Sequence, residues 1–321
     1  RALRTASRRA CEAASGSGPL ARPACEQVVV AARRWLATNP PVAARVSFAL
    51  AVAGADGQPR RLAAATLAAS LGEVKAFRDR WRATAAASLL AQPDPRVDAV
   101  LARWAHDAPE WMIRAAALDA LAARGSAELP LAALRAADDP TPRVRAAAAS
   151  ALAEAPGDAS RRALEALAND PWPLVRAAAV TSLASAAHRA DGAARVVAAI
   201  DDPSARVRAA AIDALPARPA GDPQRCTAAT PPPRAGEVWR HVAARMAMRG
   251  EAPEVLRAAI AFARRRCAAD VLPALAGLAE RPAQPGHPGD RAVAFEAQKA
   301  LRQLPFGAPA APPARSEEAR P

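Results

Sequence analysis

The chain has 321 residues, 97 of them Ala, with no Tyr, six Trp and five Phe. Ala is the strongest helix former and β-branched and aromatic residues favour strands, so a β-sandwich or barrel is excluded. No uncharged apolar run reaches the ~18 residues of a membrane-spanning helix, the longest being of the Val46–Ala55 kind. Net charge is +13, but residues 49–216 hold 20 Lys and Arg against 19 Asp and Glu. The excess sits in residues 1–48 (eight Arg against two Glu) and 217–321 (16 against 10), which speaks against a basic groove along the whole chain.

The chain opens on Arg1 in place of Met, as expected of a fragment, a processed form or a trimmed chain. Residues 1–25 read as a frayed segment, in which Arg4 and Cys11 are expected to be the remnant of an earlier repeat. A pattern then recurs. Arg45 has Asn39-Pro40 ahead of it, Trp81-Arg82 leads to Leu89, and Ile113-Arg114-Ala-Ala-Ala leads to Leu121. Asp139-Pro140-Thr-Pro-Arg-Val144-Arg145-Ala-Ala-Ala is followed by the same frame at Asp170–Val175-Arg176 and Asp202–Val207-Arg208, each with Leu seven residues after the Arg (Leu152, Leu183, Leu215). Leu256-Arg257 continues it and Arg291 does so weakly. Spacings between these Arg are 37, 32, 31, 31, 32, 49 and 34 residues, and four near-equal spacings in succession define an array. A Pro-rich insertion at about 216–233 accounts for the long interval. Arg281–Asp290 is a Pro/Gly linker, and residues 305–321 have the composition of a disordered tail.

Each unit has a physical reading. Asp or Asn before Pro is expected to cap a helix, with Pro at its first position, where a missing N–H costs nothing. The capped helix carries apolar residues at i, i+3, i+4, i+7 and i+8, as in Val144, Ala147, Ala148, Ala151 and Leu152. Short helices are expected ahead of the caps, over Leu131–Ala137, Arg161–Ala168 and Ala193–Ile200. No single unit can bury its own stripe, so neighbours must stack. The predicted fold is all-α, an α-solenoid of about seven helical hairpins over residues 26–304.

The acidic-Pro turn, the Val-Arg-x-Ala-Ala core and the following Leu resemble the HEAT-like repeats of the phycobilisome-lyase type, most clearly over 107–216. The resemblance implies antiparallel helix pairs in a right-handed superhelix, with a concave face lined by the second helix of each pair. It also implies scaffolding or partner binding. Some members assist chromophore attachment or form the regulatory part of a larger enzyme.

The repeated Arg82, Arg114, Arg145, Arg176, Arg208 and Arg257 are expected to form a structural ladder, each paired with an acidic residue of its own or the adjacent turn, such as Asp139, Asp170 or Asp202. His106, His188, His241 and His287 are scattered, with no His-Glu dipeptide of the deoxyhypusine-hydroxylase type. Cys-x-x-Cys, P-loop, dinucleotide and Gly-x-Ser-x-Gly signatures are missing, so neither an enzyme, a metal site nor a cofactor is expected. The six Trp are expected to fill volume that Ala leaves empty. Trp172, between two prolines, is the exception, a candidate contact residue. His241, Arg245 and Arg249 share one helix face and Arg264, Arg265 and Arg266 end the next helix; together these are candidate binding residues for an acidic partner. The register places Cys11 near Cys25 and Cys226 near Cys267, which predicts two disulfides and an oxidising compartment such as a bacterial periplasm. Four reduced thiols in the cytosol are the alternative.

The functional expectation is a monomeric, non-catalytic protein–protein scaffold without a membrane span. Nucleic-acid binding, as in HEAT-like DNA glycosylases, is one alternative. An accessory module of a larger enzyme, such as a lyase or a peptidyl-prolyl isomerase, is the other.

Overall fold

The computed structural model of the chain describes residues 21–55, 57–185, 188–215, 235–266, 272–281 and 289–303. They form sixteen α-helices and no strand, in two compact units divided between Leu167 and Ala168. The first unit contains α1 (Ala21–Ala37), α2 (Val42–Val52), α3 (Gln58–Ser70), α4 (Phe77–Leu90), α5 (Pro95–Asp107), α6 (Trp111–Ala123), α7 (Leu129–Ala136), α8 (Pro142–Ala151) and α9 (Asp158–Leu167). The even helices α2, α4, α6 and α8 pack each on the next, and the odd helices form a second stack beside them. The second unit contains α10 (Pro173–Leu183), α11 (Arg189–Ala198), α12 (Ala205–Ala214), α13 (Ala235–Ala247), α14 (Pro253–Arg266), α15 (Leu272–Ala279) and α16 (Gly289–Gln303). Here α10, α12, α14 and α16 pack in the same succession. Hairpins stacked on their nearest neighbours are the expected α-solenoid packing.

The core combines many Ala with Leu, Val and Ile. Val144, Ala148, Ala151 and Leu152 are buried as the stripe predicts, while Ala147 is half-buried and Ala146 and Ala149 are buried as well. Even helices meet odd helices on one side and even neighbours on others, so the buried surface is broader than one stripe. Small side chains let backbones approach closely. A Cβ built on Gly192 of α11 would lie 2.4 Å from the carbonyl oxygen of Leu183.

The Asp-Pro turns differ from the caps predicted. Asp94 does cap α5, accepting from the Arg96 N–H at 2.9 Å with Pro95 at the first position. At the three clearest repeats the helix starts later, after Thr141, Trp172 and Ser204. There Asp139, Asp170 and Asp202 each accept the N–H two residues on, at 2.8 Å. This is an Asx turn leading into the helix, because a residue before Pro prefers an extended backbone.

The segment 1–20, the whole of the 216–233 insertion and the tail from 304 lie outside the described residues, as do the side chains of Cys11, Cys25, Cys226 and Cys267.

Candidate interaction surface

The repeated Arg is positioned by the first turn of each even helix. Its Nη1 turns back to two carbonyls of its own turn. Arg114 donates to Ala108 O and Pro109 O at 2.9 and 3.2 Å, and Arg176 to Asp170 O and Pro171 O at 2.9 and 3.1 Å. Arg145 and Arg208 repeat this on the carbonyls of Asp139 and Pro140 and of Asp202 and Pro203. The other edge of the guanidinium reaches forward to the next turn. Arg114 grips both oxygens of Asp139 at 2.7 and 3.0 Å, Arg176 both oxygens of Asp202 at 2.9 and 2.8 Å, and Arg208 meets Glu251. A bidentate guanidinium–carboxylate pair of this kind is strong and directional.

Two positions of the register do otherwise. Arg82 contacts Asp79 of its own helix and Ser47 of α2, and it is Arg80 that reaches Glu110 of the next turn at 2.8 Å. Arg257 pairs with Glu296 at 3.3 Å, both side chains being half-exposed. Spacing alone does not separate Arg80 from Arg82, since both stand on α4's first turns.

Burial opposes ionisation of Asp139 and Asp202, but hydrogen bonds from Arg114 and Thr141, and from Arg176 and Ser204, outweigh it and hold both carboxyls below the usual range. Arg176 is shifted upward by its hydrogen bond to Asp202.

A second use of Arg was not legible in the repeats. Arg124, at the end of α6, is buried with Asp98 of α5 at 2.6 Å and donates to Ala87 O in the last turn of α4 at 3.3 Å. Arg60, Arg195 and Arg281 likewise donate to Leu90 O, Ala168 O and Met246 O. These cations donate to carbonyls at or just beyond helix C-termini, where the helix dipole favours positive charge.

The aromatic residues follow the expectation that Trp fills the core only in part. Trp104 is buried at 6% exposure, but Trp81 is 48% exposed and Trp172 is 56% exposed. Trp35 is half-buried against Phe48, with ring centroids 5.7 Å apart, and Trp111 is half-buried with the Arg143 guanidinium carbon 5.2 Å from its ring centroid. Phe77 and Phe295 are exposed too. The side chain of Trp239 lies outside those described.

In the second unit the candidate basic face is largely neutralised. His241 lies 3.2 Å from Asp201, and Arg245 pairs with Asp201 and, at 3.5 Å, with Glu251. Sequence spacing hid this because both acids come from outside α13. Arg249 and Arg264 are exposed; the side chains of Arg265 and Arg266 lie outside those described. Among the described residues no three His, Cys, Asp or Glu side chains converge as metal ligands, and no helix is long and apolar enough to cross a membrane.

The helices and their stacking define a helical-repeat protein. No protein-family model matches the chain, and no curated protein matches it. Among solved structures, one chain from "Kap95p Binding Induces the Switch Loops of RanGDP to adopt the GTP-bound Conformation" is similar over 95% of this chain, at 16% identity and a TM-score of 0.43. This chain spans 45% of the length of that one.

Proposed function

We propose that the chain is a non-catalytic interaction scaffold whose partner is a protein. The observation that carries this is a set of large apolar side chains left in solvent, Trp81, Trp172, Phe77 and Phe295, while Phe262 and Trp104 are buried among Ala, Leu and Val. Exposed aromatic residues forgo burial that the fold itself could have given them, and they are the side chains that dominate binding hot spots. Within each unit the Arg–carboxylate contacts tie successive hairpins together. The family reading that accompanies this function is the HEAT-like repeat of the phycobilisome-lyase type, carried by the Val144-Arg145, Val175-Arg176 and Val207-Arg208 frames. An acidic partner fits the exposed Arg249 and Arg264. The chain acts as a monomer and takes no cofactor.

Cross-linking in the native extract, followed by reconstitution of the purified pair, tests the proposal. A stoichiometric complex formed by a chain with no turnover of its own is the expected result. Turnover that changes with surface substitutions, or no reconstituted complex, overturns it.

A further inference from the structure

The first turns of α4, α6 and α8 form one rim of the first unit. Adjacent helices pack side by side, and two ion pairs hold their ends level. Arg80 of α4 reaches Glu110 at the start of α6 at 2.8 Å, and Arg114 of α6 reaches Asp139 before α8 at 2.7 Å. On this rim Phe77, Trp81 and Met112 are exposed. Lys75, Arg78 and Arg143 stand beside them in solvent, and Arg143 covers the ring of Trp111.

The exposed cations on the rim outnumber the exposed acids. Asp79, the one acid in these first turns, is buried against Arg82, and in the turn ahead of α8 the exposed Asp138 offsets one cation. Glu110 is taken by Arg80. Lys75, Arg78 and Arg143 have no carboxylate partner among the described residues. Three cations interleaved with three large apolar side chains complement a segment that carries carboxylates and apolar side chains together. A nucleic-acid strand is the poorer match. It would bring a phosphate with every nucleotide and gain little from Met112.

We propose that this rim docks an acidic peptide segment of a partner protein, its carboxylates meeting Lys75, Arg78 and Arg143 and its apolar side chains seated on Phe77, Trp81 and Met112. The proposal rests on the scaffold reading and gives that reading a site and a partner chemistry. Binding is steered by charge and weakens as salt rises.

The test uses the full chain and a fluorescent synthetic peptide of Glu and Asp interspersed with Leu and Phe, read by anisotropy. Controls are the same peptide with Gln and Asn for its acids, and single-stranded oligodeoxythymidine. The acidic peptide is expected to bind, and Trp81→Ala and Arg78→Glu each to weaken it roughly tenfold or more. Leu131→Ser, which alters an exposed apolar residue on α7 away from the rim, is expected to leave it unchanged. Circular dichroism checks that each variant folds, and Met112→Glu reads the same rim should Trp81→Ala not. No peptide binding, unchanged binding in the rim variants, or tighter binding of the oligonucleotide at the same residues overturns the proposal. The reconstituted complex separates the two readings. A complex that survives Trp81→Ala with Arg78→Glu overturns the rim and leaves the scaffold standing. A wild-type chain that forms no complex overturns the scaffold, whatever the peptide does.

Discussion

Arg176 shows how one side chain joins three backbone segments: its own helix, the Asp170-Pro171 carbonyls behind it and the Asp202 carboxylate ahead. Truncation leaves a largely buried carboxylate and two carbonyls without their donor. Arg176→Ala is therefore expected to cost about 3 kcal/mol, whereas Arg189→Ala, at an exposed position, costs little. Equal urea midpoints for the two variants would contradict this. Acid should undo the same contacts. Asp139 and Asp202 have folded pKa values below the unfolded value of about 3.9, so the stability they contribute is fully present above it. That stability is lost as pH falls through the folded values. Urea midpoints are expected to drop on acidification below about pH 4, and less steeply in Asp202→Asn than in the parent. The recurrence of Arg with Asp was legible in the sequence, but the direction of pairing was not. A guanidinium at the start of a helix can reach its own turn or the following one, and only the packing distance between hairpins chooses.

At the level of elements, close packing makes demands that composition does not reveal. Gly192 sits where α11 passes the end of α10, with its N–H bonded to His188 O at 2.9 Å. An added methyl group would collide with the Leu183 carbonyl, a backbone atom that cannot swing aside. Gly192→Ala is expected to destabilise the second unit by about 1–3 kcal/mol, although Ala is the better helix former. A thermal midpoint equal to or above that of the parent would show that the two helices can separate at no cost. The helices themselves were legible: the predicted Leu131–Ala137, Arg161–Ala168 and Ala193–Ile200 correspond to α7 at Leu129–Ala136, α9 at Asp158–Leu167 and α11 at Arg189–Ala198. The starts of α8, α10 and α12 were less so, because Asp139, Asp170 and Asp202 form Asx turns before the helix instead of capping it. The buried Arg124–Asp98 pair escaped notice altogether, since neither residue belongs to the repeated frame and an isolated Arg on an Ala-rich helix reads as solvent-facing.

On the scale of the molecule, the period of 31–32 residues was enough to read the α-solenoid, while the interaction surface was not readable from it. Trp172 announced its exposure by its flanking prolines; Trp81, within a helix, had the sequence context of a core residue and is exposed all the same. The four cysteines supply a test of compartment that is independent of fold. Two disulfides, Cys11–Cys25 and Cys226–Cys267, would lower the intact mass by four hydrogens relative to the reduced chain and block alkylation. Four alkylatable thiols in protein isolated without reductant would contradict both pairs. An alanine core also has a calorimetric signature. Ala gives up no rotamer freedom on folding, so the entropic cost of ordering each residue is low. It also hides less hydrocarbon per residue than Leu or Phe, and the heat-capacity increment of unfolding scales with the apolar area exposed. Differential scanning calorimetry should give an increment below the usual ~12–15 cal/mol/K per residue, and a value within or above that range would contradict it. A small increment flattens the curve of stability against temperature, so a protein with this much Ala in its core would lose little stability on cooling.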